Sequence, residues 1–443
     1  MIHKSLWAGL GFAAAVSWSF AAESPTSGWV TAERLVAAHR DADNWLSVGR
    51  DYGETRFSPL THIDADNVKR LGLAWFYDLD THRGQEATPV VVDGVMYTSS
   101  AWSKVLAFKA ATGELLWEFD PKVSGDVAIH VCCDLVNGKV WLSAPGALGA
   151  HNWQAAAFSP LTGLVYIPAQ ETPFPYMRDD KFERTALGMN VGLDMAATSL
   201  PPDAGARAAA LAGLKGYLLA WDPVQQREAW RAEHAGPWNG GVLATAGNLV
   251  FQGTASGELV AYRASDGTKL WSDSVRTGIG AAPMTFAVGG RQYVSVLVGW
   301  GGVYPLVAGE LAFKSGHMVN RSRVLTYALD GTAQLPEPPV TEPPAVTSVP
   351  AGARPEEQLV REGAKLYARH CGNCHGDAAV SGGIVPDLRY SHALTNDEFW
   401  TAVVHDGVLA ARGMVSFKAE LSASHEQALR AYLTQRALES RQP

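Results

Sequence analysis

Apolar residues in this chain come in short runs broken by turn residues, and one run recurs. Ala107-Phe-Lys-Ala-Ala-Thr-Gly113-Glu-Leu-Leu-Trp117 sets an alanine, a glycine and a tryptophan at fixed stations. Ala261-Tyr-Arg-Ala-Ser-Asp-Gly267-Thr-Lys-Leu-Trp271 keeps all three, whereas the stretch from Ala220 to Trp230 keeps the outer two and carries Gln226 at the glycine station. Phe158-Ser-Pro-Leu-Thr-Gly163-Leu-Val-Tyr166 is a shorter relative. Around the first copy, strand-like runs at 88–94, 95–98, 104–108 and 115–119 are divided by the turn pairs Asp93-Gly94 and Thr112-Gly113. The same rhythm runs from Gly241 to Ser272. Four short strands with one tryptophan per unit predict a β-propeller blade, the indole wedged between neighbouring blades. About four such units are legible; a β-sandwich with coincidental tryptophans is the plainer alternative.

The strand rhythm stops at Gln334. Seven prolines between Gln334 and Pro355 predict an extended linker without a core of its own. The period then becomes helical. Pro355 opens a helix with Leu359, Gly363, Leu366 and Tyr367 along one face, leading into Cys371. A last helix starts near Ser422 or Ser424, with Gln427 placed for a capping box and Leu429, Tyr432, Leu433 and Ala437 as its buried stripe. The resulting division is 1–22 export signal, 23–333 β-propeller, 334–355 linker and 356–443 helical domain.

Composition narrows the class. Of 443 residues, 47% are hydrophobic and 18% charged, and 44 glycines, 24 prolines and 15 tryptophans suit short strands and tight turns. A net charge of −8 argues against a nucleic-acid partner. Lys4, the apolar run from Leu6 to Val16 and Ser19-Phe20-Ala21, with Ala22 as an alternative end, read as a cleaved export signal. A membrane anchor is the other reading, but the run is short, and no later segment reaches the roughly 18 apolar residues that a span needs. A soluble periplasmic product is expected.

The four cysteines form two pairs, Cys132-Cys133 and Cys371-Gly-Asn-Cys374. Cys371-Gly-Asn-Cys374-His375 has the spacing of a c-type haem attachment site, two thiols for the vinyl groups and an adjacent imidazole for the iron. A redox dithiol has no need of the histidine, and a zinc site would want a second ligand pair that this domain lacks. Met414, in Gly413-Met-Val-Ser-Phe417, is the only methionine after His375 and is the expected sixth ligand, with His392 and His405 as rivals. Thioether ligation raises a haem's potential, which suits an electron acceptor.

Further motifs carry a family resemblance over nearly the whole chain after the signal. The residues from Asn44 to Ser58, Glu86-Ala-Thr-Pro89, Cys132-Cys133-Asp134, Gly149-Ala-His-Asn152-Trp153, Trp238-Asn-Gly-Gly241, Gly299-Trp-Gly-Gly302 and the Met414 segment together resemble the quinohaemoprotein alcohol dehydrogenases. That resemblance implies an eight-bladed propeller holding pyrroloquinoline quinone (PQQ) and Ca²⁺, followed by a haem c domain. It implies PQQ contacts from Glu86, Asn152 and Trp153, and a ring disulfide between Cys132 and Cys133 against one face of the quinone. Read alone, those cysteines could equally be two buried thiols. The implied partners are a small alcohol and a soluble periplasmic acceptor such as a cupredoxin or cytochrome.

The family order breaks after Asn137. The chain runs straight into Gly138-Lys-Val-Trp141 and the His151 loop, where several further blades are expected. The absent stretch is where the family keeps its general-base aspartate, its Ca²⁺ ligands, a stacking tryptophan and a lysine near the quinone. Asp126 and Asp134 are poor substitutes for the base, and no catalytic residue is assigned. The resulting expectation is a truncated propeller plus a cytochrome c domain. It is either an impaired alcohol dehydrogenase or a haem carrier with a non-catalytic propeller platform; an open ring with exposed strand edges is the third possibility.

Overall fold

The computed structural model describes residues 30–101, 104–119, 141–201, 203–316, 320–337 and 349–441. The export segment, Asp126, Cys132-Cys133, Asp134, the break after Asn137 and part of the linker fall outside these residues.

Four four-stranded antiparallel blades account for most of the strands. The first is Val90–Val92, Val95–Ser100, Lys104–Lys109 and Leu115–Phe119. The second is Ala157–Ser159, Leu164–Glu171, Lys215–Asp222 and Arg227–His234. The third, Val242–Thr245, Leu249–Gly253, Glu258–Arg263 and Lys269–Ser274, also takes the short strand Phe57–Ser58 in parallel pairing. The fourth joins Met284–Val288, Arg291–Val298 and Arg323–Leu329 to Leu71–Asp78, from the other end of the domain. In that strand Leu71, Leu73 and Trp75 alternate inward, as a half-buried strand requires. A separate ladder pairs Trp141–Ser143 with Phe174–Tyr176.

The count of four units stands, but their make-up differs from the sequence reading. The Phe158–Tyr166 repeat is the opening hairpin of the second blade, the same blade that carries Trp230. The remaining blade is the composite fourth one.

One contact repeats between blades. An indole on the outermost strand reaches the next blade, and its N–H donates to a backbone carbonyl there. Trp230 donates to Ala264 O (3.0 Å), Trp271 to Leu71 O (3.0 Å) and Trp75 to Ala110 O (3.0 Å). These contacts order the blades second, third, fourth, first. Gly113 and Gly267 are glycine for this reason: a Cβ at either would strike the ring of Trp75 or Trp230. One continuous core holds the third, fourth and first blades, and a second core holds the second and third.

Among the described residues the arc ends at Trp117. It holds the same station in the first blade, yet is 46% exposed beside Leu115 and Leu116. At the other end, the turn of the second blade that would receive an indole, Pro223 to Arg227, is exposed throughout.

The helical domain packs Glu357–His370 against Ala423–Glu439, with Tyr367 and Tyr432 rings 5.3 Å apart. Gly363, Tyr367, Leu429, Leu433 and Ala437 are buried as expected; Tyr432 is half-buried. The capping box is real but its partner is His425, not Gln427. With Ser422 as the cap, the third helical position is 425, and its Nδ1 accepts from Ser422 N (3.4 Å). Among the described residues no helix is long and apolar enough to cross a membrane.

Candidate redox sites

Helix Glu357–His370 ends at Cys371, and the short helix Gly372–His375 buries His375 while leaving Cys374 exposed. The two cysteines do not pair with each other; Cys374 is exposed, and burial pushes Cys371 up to about 12. His375 is 9% exposed, and burial lowers its pKa. Its Nδ1 meets the carbonyl of Pro386 at 2.9 Å. A carbonyl only accepts, so Nδ1 carries the proton and Nε2 keeps its lone pair for a metal. Met414 follows the left-handed turn at Gly413 and packs against the same core as Cys371, Leu366 and Leu388. Two thiols, one oriented imidazole and a thioether in one helical domain fit a haem. His405 Nδ1 meets Asp406 Oδ1 at 3.0 Å, which leaves its Nε2 free as well.

A second cluster gathers on the propeller. Gly302 lies against both the Glu86 carboxylate and the Trp238 indole nitrogen. Glu86 sits on an irregular segment, because 79–89 makes no sheet pairing. Its carboxyl opens to solvent on one side, and loss of hydration on the others raises its pKa. Trp238 is 1% exposed, stacks on Tyr304 (5.4 Å) and meets Trp153 edge-on (6.5 Å). Its Nε1 is buried without an acceptor. An orphan donor among aromatic faces and one carboxylate suits a flat, acceptor-bearing molecule.

Not every expected residue points into this cluster. Asn152 spends its side chain on its own loop, donating to Leu148 O (2.9 Å) and accepting from Trp153 N (2.9 Å). It therefore shapes the turn that presents Trp153. Gln170, which sequence reasoning missed, ties that loop to Trp238 by accepting from Trp238 N (3.1 Å) and donating to Leu148 O (3.3 Å). Among the described residues no three His, Cys, Asp or Glu side chains converge as a metal site. The residues described do not build a Ca²⁺ cage.

The two sites face each other. Tyr304, stacked on Trp238, belongs to the helix Val303–Val307, which packs against the haem-motif helix Gly372–His375. An excursion of the second blade clasps the helical domain from outside. Ser199 Oγ and Leu200 N donate to Asp377 (2.5 and 3.1 Å), Met189 N donates to Arg369 O (2.9 Å), and His370 Nδ1 donates to Leu187 O (2.8 Å). No sequence motif marks this clasp.

Comparison with known proteins follows the same division. The model for the glucose/ethanol/alcohol dehydrogenase β-propeller domain matches residues 45–134 and 216–294, and that for cbb3-type cytochrome c oxidase subunit III matches 358–433. The quinohemoprotein alcohol dehydrogenase ADH IIB of Pseudomonas putida is 29% identical over 91% of this chain and 94% of its own. The dehydrogenase subunit of an Acetobacter aceti alcohol dehydrogenase (quinone) is 28% identical over 92% of this chain and 91% of its own. The chain belongs to the quinohaemoprotein alcohol dehydrogenase family.

Among solved structures, the quinohemoprotein alcohol dehydrogenase ADHIIG of P. putida HK5 superposes with a TM-score of 0.81 at 24% identity, covering 94% of this chain and 98% of its own. This family membership implies PQQ and haem c as cofactors. The chain is a short member: its alignment with the A. aceti subunit runs over 678 positions, 235 more than its 443 residues.

Proposed function

We propose that this chain is an exported, periplasmic quinohaemoprotein. Its haem half is complete, and its alcohol-oxidising half is impaired. Haem c is carried on Cys371 and Cys374, with His375 and Met414 on the iron. The observation that carries this reading is the His375 Nδ1–H bond to Pro386 O, which frees Nε2 for a metal beside the two motif thiols. When bound, the haem supplies one-electron redox chemistry at a potential raised by the thioether. Pro386 fixes the imidazole, and Cys371 and Cys374 fix the porphyrin edge.

For the propeller, the family reaction is oxidation of a primary alcohol to an aldehyde with PQQ as first acceptor. Glu86, Trp153 and Trp238 would hold the quinone: the indole N–H donates, the aromatic faces stack, and the carboxylate orients its edge. The proposed ring disulfide of Cys132 and Cys133 would cover one face. The reading that this half is impaired rests on the family stretch missing after Asn137, where the resemblance places the general base, and on the exposed Trp117. The same exposed edge favours a second reading, a haem carrier whose propeller serves as a platform for a soluble cupredoxin or cytochrome acceptor.

The test of the haem reading is expression with the native leader in a host that matures c-type cytochromes. The periplasmic fraction is expected to yield protein that lacks its leader and carries the mass of one porphyrin, lost in the Cys371→Ser, Cys374→Ser double variant. Unmodified mass would contradict the assignment.

A further inference from the structure

The segment that carries Glu86 also reaches the haem motif. Arg83, three residues earlier, donates from Nη2 to Arg412 O at 3.3 Å, two residues before Met414. Arg83 therefore reaches from the propeller segment to the turn that carries Met414.

The segment has little freedom to move. Asn320 Nδ2 donates to His82 O (2.6 Å) and Ser322 Oγ to Arg83 O (2.6 Å). Arg83 N donates to Thr81 Oγ1 (3.1 Å), and Gln85 N donates to Gly299 O (3.2 Å). Asn320, Ser322 and Gln85 are all buried. A cation fixed this firmly by one domain against the redox centre of the other acts on the charge of that centre. Reduction lowers the charge of the iron porphyrin by one, so a nearby positive charge favours the ferrous form.

We propose that Arg83 is a positioning residue through which the propeller raises the potential of the haem. The proposal rests on the haem reading above. It does not require PQQ, Ca²⁺ or turnover.

The test is equilibrium redox titration of the haem-loaded full chain, followed by its visible spectrum. Arg83→Gln keeps a donor for Arg412 O and loses the charge; Arg83→Lys keeps the charge. Arg83→Gln is expected to lower the ferrous-to-ferric ratio at fixed ambient potential by about three- to tenfold, with an unaltered low-spin spectrum. Arg83→Lys is expected to stay within about twofold of the wild type, and added salt to shrink the difference. An Arg83→Gln ratio equal to wild type would overturn the proposal. So would an equal fall in both variants, or loss of the low-spin spectrum, since either would make Arg83 only an anchor for the Met414 turn. A wild-type chain without covalent haem sinks the haem reading and this proposal together; haem without a shift sinks this proposal alone.

Discussion

The indole N–H of Trp75 donates to the carbonyl of Ala110 at 3.0 Å and its ring covers Gly113, joining the fourth blade to the first. Trp117 holds the same station one blade on and is 46% exposed. Equal residue types at equal stations should therefore differ in worth. Trp75→Ala is expected to cost about 3–5 kcal/mol, and Trp117→Ala no more than about 1 kcal/mol. Urea unfolding of the propeller, followed by tryptophan fluorescence, gives both values; equal losses would mean that Trp117 is covered.

The two rims of the arc do not complement each other. Gln226 (φ 52°) brings a Cβ to the station where Gly113 and Gly267 must have none. Trp117 of a second copy therefore cannot seat on the second blade as Trp75 and Trp230 seat on theirs. Association should instead be unspecific, driven by the edge strand with Leu115, Leu116 and Trp117. Trp117→Glu is expected to lower light scattering on concentration without moving the urea midpoint. A defined monomer–dimer equilibrium in sedimentation would contradict this.

Much of this architecture was legible because it is local. Ala107 to Trp117 and Ala261 to Trp271 each hold a hairpin and its wedge within eleven residues, so spacing alone reports them. The fourth blade escapes that logic, since Trp75 pairs with Thr326 across a long sequence separation. Ala65 stands at the alanine station before Trp75, but Leu71 holds the glycine station and no hairpin turn joins its strand to Arg323–Leu329. The haem motif was fully legible, because two thioether links and a ligand demand neighbouring residues. Arg83, Gln170 and the Ser199–Asp377 clasp were not, because hydrogen bonds made across folded segments leave no period. His425 took the cap from Gln427 once Ser422, rather than Ser424, became the first residue outside the helix.

Acid should loosen the seam between the second and third blades. Gln252 Nε2 donates to Gly240 O, so its Oε1 accepts from His234 Nε2–H at 2.9 Å. Burial holds the His234 pKa below 6.5. The unfolded chain then binds the proton first, so stability is full above about 6.5 and is lost as pH falls toward the lowered folded value. His370 shifts the same way, so part of the slope has another source. Urea midpoints measured from about pH 7.5 to 5.5 are expected to fall, and His234→Gln to flatten that fall. An unchanged slope would remove His234 from the account.

Met414 and His405 make opposite predictions for the iron. Met414→Ala is expected to keep the covalent haem, lose the low-spin spectrum and lower the potential, because the thioether is what raises it. His405→Ala is expected to leave spectrum and potential unchanged. The reverse pattern, read by visible spectroscopy and redox titration, would exchange their roles.

The most direct test of the whole account is ethanol-dependent reduction of the chain's own haem after incubation with PQQ and Ca²⁺, scaled to full reduction by dithionite. The account predicts complete reduction by dithionite and essentially none by ethanol. Haem reduction by ethanol on the scale of dithionite would contradict it, and would mean that the shortened propeller supplies a base and a quinone site of its own.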